Sequence, residues 1–189
     1  MSPEDQLIAR SRGGDTHAFD LLVERYQDRV YDLVYRITGH HADAQDAAQE
    51  SFVKAYRSLR GFRGDASFST WLHRIAVNAA LDAVRRRPPA SPILDDRAGV
   101  ALDPLADRAE CVEARERIHH AIAALPVEQR VVVTLRDVQG WSYEEIAVIA
   151  EIPIGTVRSR LARGREALRV ALADLAPAGA RVNRGGHAS

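Results

Sequence analysis

Apolar positions recur at threes and fours along most of this chain and nowhere alternate as in a β-strand, so the pattern predicts an all-α protein. Ser2-Pro3-Glu4-Asp5 opens a first helix, with proline at the first helical position and acids beside the positive end of the helix dipole, and Gly13-Gly14 closes it. In a long second helix Phe19, Leu22, Val23, Tyr26, Val30, Leu33, Val34 and Ile37 form one stripe up to Gly39, the central wall of a first core. Ala44, Ala47, Ala48, Phe52, Tyr56 and Leu59 mark a third helix. Trp71, Leu72, Ile75, Ala76, Ala79, Ala83 and Val84 mark a fourth that ends in Arg85-Arg86-Arg87, with a glycine-bearing loop between the two.

Pro88-Pro89 stops the fourth helix, and the segment to about Arg108 carries four prolines, scattered acids and no sustained period. The reading is therefore two small helical domains, residues 1–87 and 110–175, joined by a flexible acidic linker over 88–109 and followed by a disordered tail over 176–189. As a coil of roughly 20 residues the linker spans about 25 Å, and fully extended it reaches about 70 Å.

The second domain carries the sharpest local pattern. Ser142 with Glu145 fits a capping box, so a helix starts there with Ile146, Ile149 and Ala150 on its apolar face; Pro153 and Gly155 stop it, and Thr156 is placed to cap the next. In that next helix Val157, Leu161, Gly164 and Leu168 face inward, leaving Arg158, Ser159, Arg160, Ala162 and Arg163 on the sides and front. A solvated surface helix would show the same period. Five arginines against the single acid Glu166 between Thr156 and Arg169, directly after a helix and a short turn, instead favour a helix-turn-helix whose second helix enters a major groove. The planar arginine fork grips a guanine edge or a phosphate bidentately.

Charge modifies this picture. The formal net charge of the 189 residues is zero, yet residues 1–87 sum to +1, residues 88–116 to −4 and residues 117–189 to +3. A chain so balanced has little long-range pull on DNA and calls for a larger basic partner to hold it there, which suits a polymerase subunit better than a stand-alone repressor. One cysteine, Cys111, excludes an intramolecular disulfide and any multi-cysteine zinc site. No apolar run approaches the length of a membrane span, and the polar start Ser2-Pro3-Glu4-Asp5-Gln6 lacks the order of a signal peptide, so a cytoplasmic protein is expected.

Ala124-Leu125-Pro126, Glu128-Gln129-Arg130, Leu135-Arg136, the run Gly140 to Ala147 and Gly155-Thr156-Val157-Arg158-Ser159-Arg160-Leu161 resemble the C-terminal domain of extracytoplasmic-function (ECF) sigma factors of bacterial RNA polymerase. The first half agrees. Phe62 to Leu72, continuing through Arg74-Ile75-Ala76-Val77-Asn78, resembles the promoter-melting segment of that family, and Asp43 to Phe52 its polymerase-binding helix. Glu151 departs from the pattern, standing where the family often has glycine at the turn of the helix-turn-helix; a left-handed backbone there is costly for an L-residue.

The resemblance implies that Asp43, Asp46, Gln49 and Glu50, with Phe52 as anchor, dock on core RNA polymerase; by sequence alone this stretch reads as a solvated acidic face. Phe62, Gly64, Ala66, Ser67, Phe68, Ser69 and Thr70 form a set suited to an unstacked base of the downstream promoter box, the alternative being that Phe62, Phe68 and Trp71 are all core, which is preferred for Trp71; Asn78 is expected to face DNA, and His73, Arg74 and Arg85 to Arg87 to track phosphates. Thr156, Arg158, Ser159, Arg160, Ala162 and Arg163 are assigned to the upstream box. The linker would then be drawn out on a partner surface, since two boxes read by two domains lie more than one helical turn of about 34 to 36 Å apart.

The expected partners are core RNA polymerase, promoter DNA and an anti-sigma factor, with no cofactor and no reaction of its own. Two rivals are weighed. A stand-alone helix-turn-helix regulator would use only the second domain. A helical metal-dependent hydrolase would use His40-His41 and His119-His120, but adjacent helical residues diverge, and metal sites need three or four converging ligands.

Overall fold

A computed structural model describes residues 2–87 and 109–173, and among them there is no β-strand. The linker prolines and the tail predicted as disordered lie outside the described residues.

Helix α1, Pro3–Arg12, starts with a reciprocal capping box between Ser2 and Asp5. The long α2, Thr16–Thr38, is capped by the Asp15 side chain, which accepts from the Ala18 amide, and ends at Gly39 in the left-handed conformation at φ 74°. Helix α3, His41–Ser58, follows after two residues and tightens into a single turn over Leu59–Gly61. Ser67 then caps α4, Phe68–Arg86.

The predicted stripe of α2 is the wall of the first core. Leu22, Val30, Leu33, Val34 and Ile37 are fully buried with Leu59 and Leu72, each such leucine stabilising the fold by about 1.5–3 kcal/mol. Where α3 and α4 meet, the buried residues are small, among them Ala44, Ala47, Ala76, Ala79 and Ala80, so the helices approach closely. Helix α1 lies on α2, where the Tyr26 hydroxyl donates to Glu4 at 2.9 Å; burial first and the Glu4 carboxylate second push the Tyr26 pKa up to about 12.

The second domain comprises α5, Ala109–Ala123; α6, Val127–Val133; α7, Tyr143–Ala150; and α8, Ile154–Ala171. Helix α6 widens over Thr134–Val138 into a π-type turn, where the Gln139 amide reaches back five residues to the Thr134 carbonyl. Leu135, Ile146, Ile149, Val157 and Leu161 form its core.

The two domains are in contact. Helix α4 packs on α7, and α2 on α5 and α6, so one apolar cluster runs through both. Sequence periodicity had given each domain its own core and had not foreseen this shared face.

Candidate nucleic-acid interface

The helix-turn-helix is α7, a turn at Glu151 to Pro153, and α8. The Ser142 hydroxyl accepts from the Glu145 amide while the Glu145 carboxylate accepts from the Ser142 amide at 2.9 Å, the capping box expected from the sequence. Helix α7 ends at Ala150 with Glu151 in the left-handed conformation, φ 53° and ψ 44°, which makes Glu151 the one non-glycine residue with positive φ among those described. One expectation is corrected here: Thr156 caps nothing. Pro153, in an extended conformation, occupies the cap position, so α8 begins at Ile154, and Gly155 and Thr156 lie inside its first turn rather than before it.

Helix α8 buries Val157, Leu161 and Gly164 and exposes Arg158, Ser159, Ala162 and Arg163, with Thr156 and Arg160 half-exposed at the edges. Gly164 sets its distance from α6, since a Cβ built there would stand 2.7 Å from Val133 Cγ2. The arginines of α8 divide in two. Arg165 grips Asp137 through Nε at 3.0 Å and through Nη2, and Arg169 pairs with Glu166, whereas Arg158, Arg160 and Arg163 form no ion pair among the described residues. Arg163 lies along its own helix, with Nε on the Ser159 carbonyl at 3.3 Å.

In the first domain the residues assigned to an extruded base lie around the start of α4, with Asn78 further along the helix, and they are not equally available. Gly64 at φ 80° turns an exposed loop that carries Ala66 and Ser67, and the Ser67 hydroxyl is engaged as the α4 cap, accepting from the Thr70 amide at 3.0 Å. Phe62 is half-buried, edge-on to Phe68 at 5.9 Å and tilted against Trp71 at 5.2 Å. Phe68 is only 3% exposed and also meets Tyr26, so its ring supports the site from beneath and cannot itself stack on a base; the 3.6-residue period that places Leu72 inside places Phe68 there too. Trp71 is half-buried within this aromatic cluster, close to its expected place in the core. Asn78 is exposed one turn beyond Arg74.

His73, assigned to phosphates, is fully buried. One ring nitrogen meets the Ser69 carbonyl at 2.7 Å and the ring stands edge-on to Trp141 of the second domain at 4.8 Å. Burial holds its pKa below the ordinary value of 6.5, so the ring is neutral. Arg74 Nη1 lies 3.7 Å from the Glu151 carboxylate, again across the domains.

On α3, Asp46 and Gln49 are exposed, Asp43 and Glu50 are half-exposed, and Phe52 packs its ring partly against the core. The basic end of α4 does not project freely as assigned: Arg87 pairs with Asp43 at 3.2 Å and Arg86 with Glu50 at 3.3 Å, while Lys54 reaches Glu50 at 2.7 Å. Lys54 foremost and Arg86 after it hold Glu50 below the ordinary carboxylate value. The acidic face therefore carries its own exchangeable counter-charges, each exposed pair being worth about 0–1 kcal/mol.

Among the described residues no group of three or more histidine, cysteine or carboxylate side chains converges as a metal site. His40 is buried at the α2–α3 junction and His119 stacks on Tyr35 at 4.8 Å, an arrangement of packed rings. No helix among the described residues is long and apolar enough to cross a membrane.

Sequence reasoning missed Arg130, Gln139 and Trp141 as contacts between the domains. Arg130 stood inside a quoted motif and Trp141 inside another, but no local signal says what a side chain will meet far along the chain.

Two family models match the chain: Sigma-70 region 2 over residues 22–88 and Sigma-70, region 4 over residues 115–168. The RNA polymerase sigma-H factor of Pseudomonas aeruginosa is 43% identical over 183 residues, covering 91% of this chain and 95% of that one. The ECF RNA polymerase sigma-E factor of Escherichia coli K12 is 45% identical over 173 residues, covering 86% and 90%. Among solved structures, CnrH in complex with the cytosolic domain of CnrY superposes with a TM-score of 0.69 at 26% identity, over 93% of this chain and 100% of that one. The sigma factor RpoE of Bartonella quintana, in complex with the anti-sigma factor NepR, shares the fold at a TM-score of 0.66 and 23% identity, over 82% and 96%. With two sigma-70 regions matched in order and relatives this similar over nearly their whole length, the chain belongs to the sigma-70 family and is an ECF sigma factor, a transcription initiation factor that works with core RNA polymerase on promoter DNA.

Proposed function

We propose that the division of labour follows the two domains: residues 1–87 dock on core polymerase and open the downstream box, and residues 110–175 read the upstream box. The observation that carries this reading is the sidedness of α8, which buries Val157, Leu161 and Gly164 while Arg158, Arg160 and Arg163, on the outer side, have no acid partner among the described residues. Unneutralised guanidinium groups on one helix side are what groove contact requires. Asp46 and Gln49, with Asp43 and Glu50 after exchange of their internal partners and Phe52 as apolar anchor, form the polymerase-docking face of α3. Phe62, Gly64, Ala66 and Ser67 with Asn78 and Arg74 receive the extruded base and flanking backbone, and Phe68 fixes the loop from below.

The sigma factor carries out no reaction of its own; it positions the polymerase, whose active site makes RNA. It acts in the cytoplasm, where the polymerase is. The likeness to CnrH, solved in complex with the cytosolic domain of CnrY, supports a protein partner for this chain, which we read as an anti-sigma factor. The test is transcription by core polymerase with and without the purified chain on genomic DNA, with start sites mapped. Discrete new starts preceded by a common two-box sequence are expected, and starts that do not change on addition of the chain would overturn the reading.

A further inference from the structure

Asp43, Asp46 and Glu50 stand three and four residues apart on α3 and so share one side of it as an acidic stripe. Like charges at that spacing repel and weaken a helix. Both ends of the stripe are held by the last turn of α4. Arg87 Nη1 lies 3.2 Å from Asp43, and Arg86 Nη2 donates to one oxygen of Glu50 at 3.3 Å while Lys54 takes the other at 2.7 Å. Asp46, between them, forms no ion pair among the described residues. The two arginines are steered to α3 by their own helix end. Arg86 Nε is fixed on the Asp82 carbonyl at 3.2 Å, one turn earlier, and the Arg87 side chain is only 25% exposed, whereas Arg85 turns back to Asp82 within α4.

We propose that Arg86 and Arg87 are internal competitors for the polymerase-docking face: they occupy Glu50 and Asp43, and so hold the affinity for core polymerase below what the acidic stripe alone would give. The inference rests on the docking role proposed for α3. A basic group of the polymerase that takes Glu50 or Asp43 breaks one ion pair to make another, so the net gain at these two positions is small. The exchange takes place in solvent, with the two carboxylate side chains 36% and 37% exposed, and no charge passes through a buried, unpaired state.

The affinity of the full chain for core polymerase, without DNA, is measured for single and double variants. Arg86→Ala should tighten docking about two- to fivefold, the size of an exposed ion pair, and Arg87→Ala should do the same. Both should keep the helicity of the parent by circular dichroism. Glu50→Gln should abolish the gain from Arg86→Ala, and Asp43→Asn the gain from Arg87→Ala, because the competitor has then lost its target; a general effect of net charge would act equally in both backgrounds. The gain should also shrink as salt rises, since salt screens the internal and the external pair alike. Docking that is unchanged or weakened by Arg86→Ala, or tightened equally with and without Glu50→Gln, overturns the competition. The docking role of α3 is read separately: with Arg86→Ala and Arg87→Ala in place, Asp43→Asn with Glu50→Gln should weaken docking at least tenfold. No change in that background would remove the face from the interface, and the competition with it.

Discussion

Arg130 Nη1 donates to the carbonyl of Ile37, 93 residues earlier, at 2.6 Å, while its Nη2 donates to Leu125 at 2.9 Å and to Ala123. Ile37 lies in the last turn of α2 and Ala123 is the last residue of α5, so one buried guanidinium stands at the negative ends of two helix dipoles from different domains. Among the described residues it has no carboxylate partner; carbonyl dipoles alone offset the desolvation that lowers its pKa. This contact is separate from the Glu151 side of the interface, and it ties the fold of the second domain to the position of the first.

Arg130→Met removes the donor and leaves three carbonyls short of a partner, so the second domain should lose about 3 kcal/mol. Arg130→Lys should recover only part of this, because an ammonium cannot place its donors in the same planar fork. Denaturant titration followed by circular dichroism reads both. A loss below about 1 kcal/mol for the methionine variant would show that the carbonyls find other donors.

His119 supplies a pH dependence at the same junction. Its ring stacks on Tyr35, and burial first, with Arg36 next, lowers its pKa to about 4 from 6.5; Arg130 and His120 oppose its protonation too, and Asp32 favours it. A histidine held neutral in the fold binds its proton more readily when unfolded. Its stabilising effect is therefore complete above pH 6.5 and is lost progressively as pH falls from 6.5 towards 4. His73, lowered by burial against Trp141, acts in the same direction. Melting temperature should fall through this window, and His119→Phe, which keeps the stack, should flatten the slope. The carboxylates whose pKa values the fold lowers, Asp15 and Glu50 among them, give their full stabilising contribution above their ordinary values of 3.8 and 4.5 and lose it only as pH falls below them, which leaves most of that window to the histidines.

What was readable and what was not divides along these lines. The stripe of α2, the α7 capping box and the exposed arginines of α8 depend on residues within one or two turns of each other, and spacing alone reports them. Phe68 was misjudged because the same aromatic type serves a base-stacking wall and a core, and only its phase relative to Leu72 and Tyr26 separates the two. Thr156 was misjudged because an extended Pro153, which has no side-chain acceptor to cap with, starts the helix three residues earlier. His73, Gln139, Trp141 and Glu151 belong to contacts between the domains, where the periodicity of either side states that a face is apolar and not what covers it.

Gly164→Val tests how α8 is held. The added Cβ would meet Val133 Cγ2 at 2.7 Å, and relief requires either a rotamer change at Val133 or an outward shift of α8. We expect a stability loss of about 1–3 kcal/mol and weaker upstream-box binding by holoenzyme. Val133→Ala should rescue both by vacating the space. Failure of that rescue would place the damage elsewhere in the helix.

Arg158 and Arg163 are tested as base readers. Alanine at a base-reading position should cost about 1–3 kcal/mol on the preferred upstream box and relax the preference there. A phosphate contact would weaken all sequences alike and lower the salt slope by about one unit. Affinities of the holoenzyme measured on matched and altered boxes across a salt series separate these outcomes, and uniform weakening at both positions would remove base reading by them.

The last test concerns strand opening and turns on the unequal exposure of the loop residues. Phe62 is half-exposed and Asn78 exposed, whereas Phe68 is covered by Phe62, Trp71 and Tyr26, so the three should not fail alike. Asn78→Ala removes a polar group that reads a base only after it has left the duplex, and Phe62→Ala removes the accessible stacking edge, worth about 1–3 kcal/mol per base. Both should slow open-complex formation more than initial promoter binding, and a template already mismatched across the downstream box should restore much of the rate, since unstacking is then prepaid. Phe68→Ala should instead lower the melting temperature of the first domain, by about 3–5 kcal/mol in stability, with a transcription defect that pre-melting does not rescue. Permanganate footprints and single-round transcription on duplex and bubble templates distinguish the two behaviours. An equal loss on both templates for Asn78→Ala and Phe62→Ala, with normal opening, would assign these residues to packing or duplex binding and leave the extruded base without a receptor in this loop.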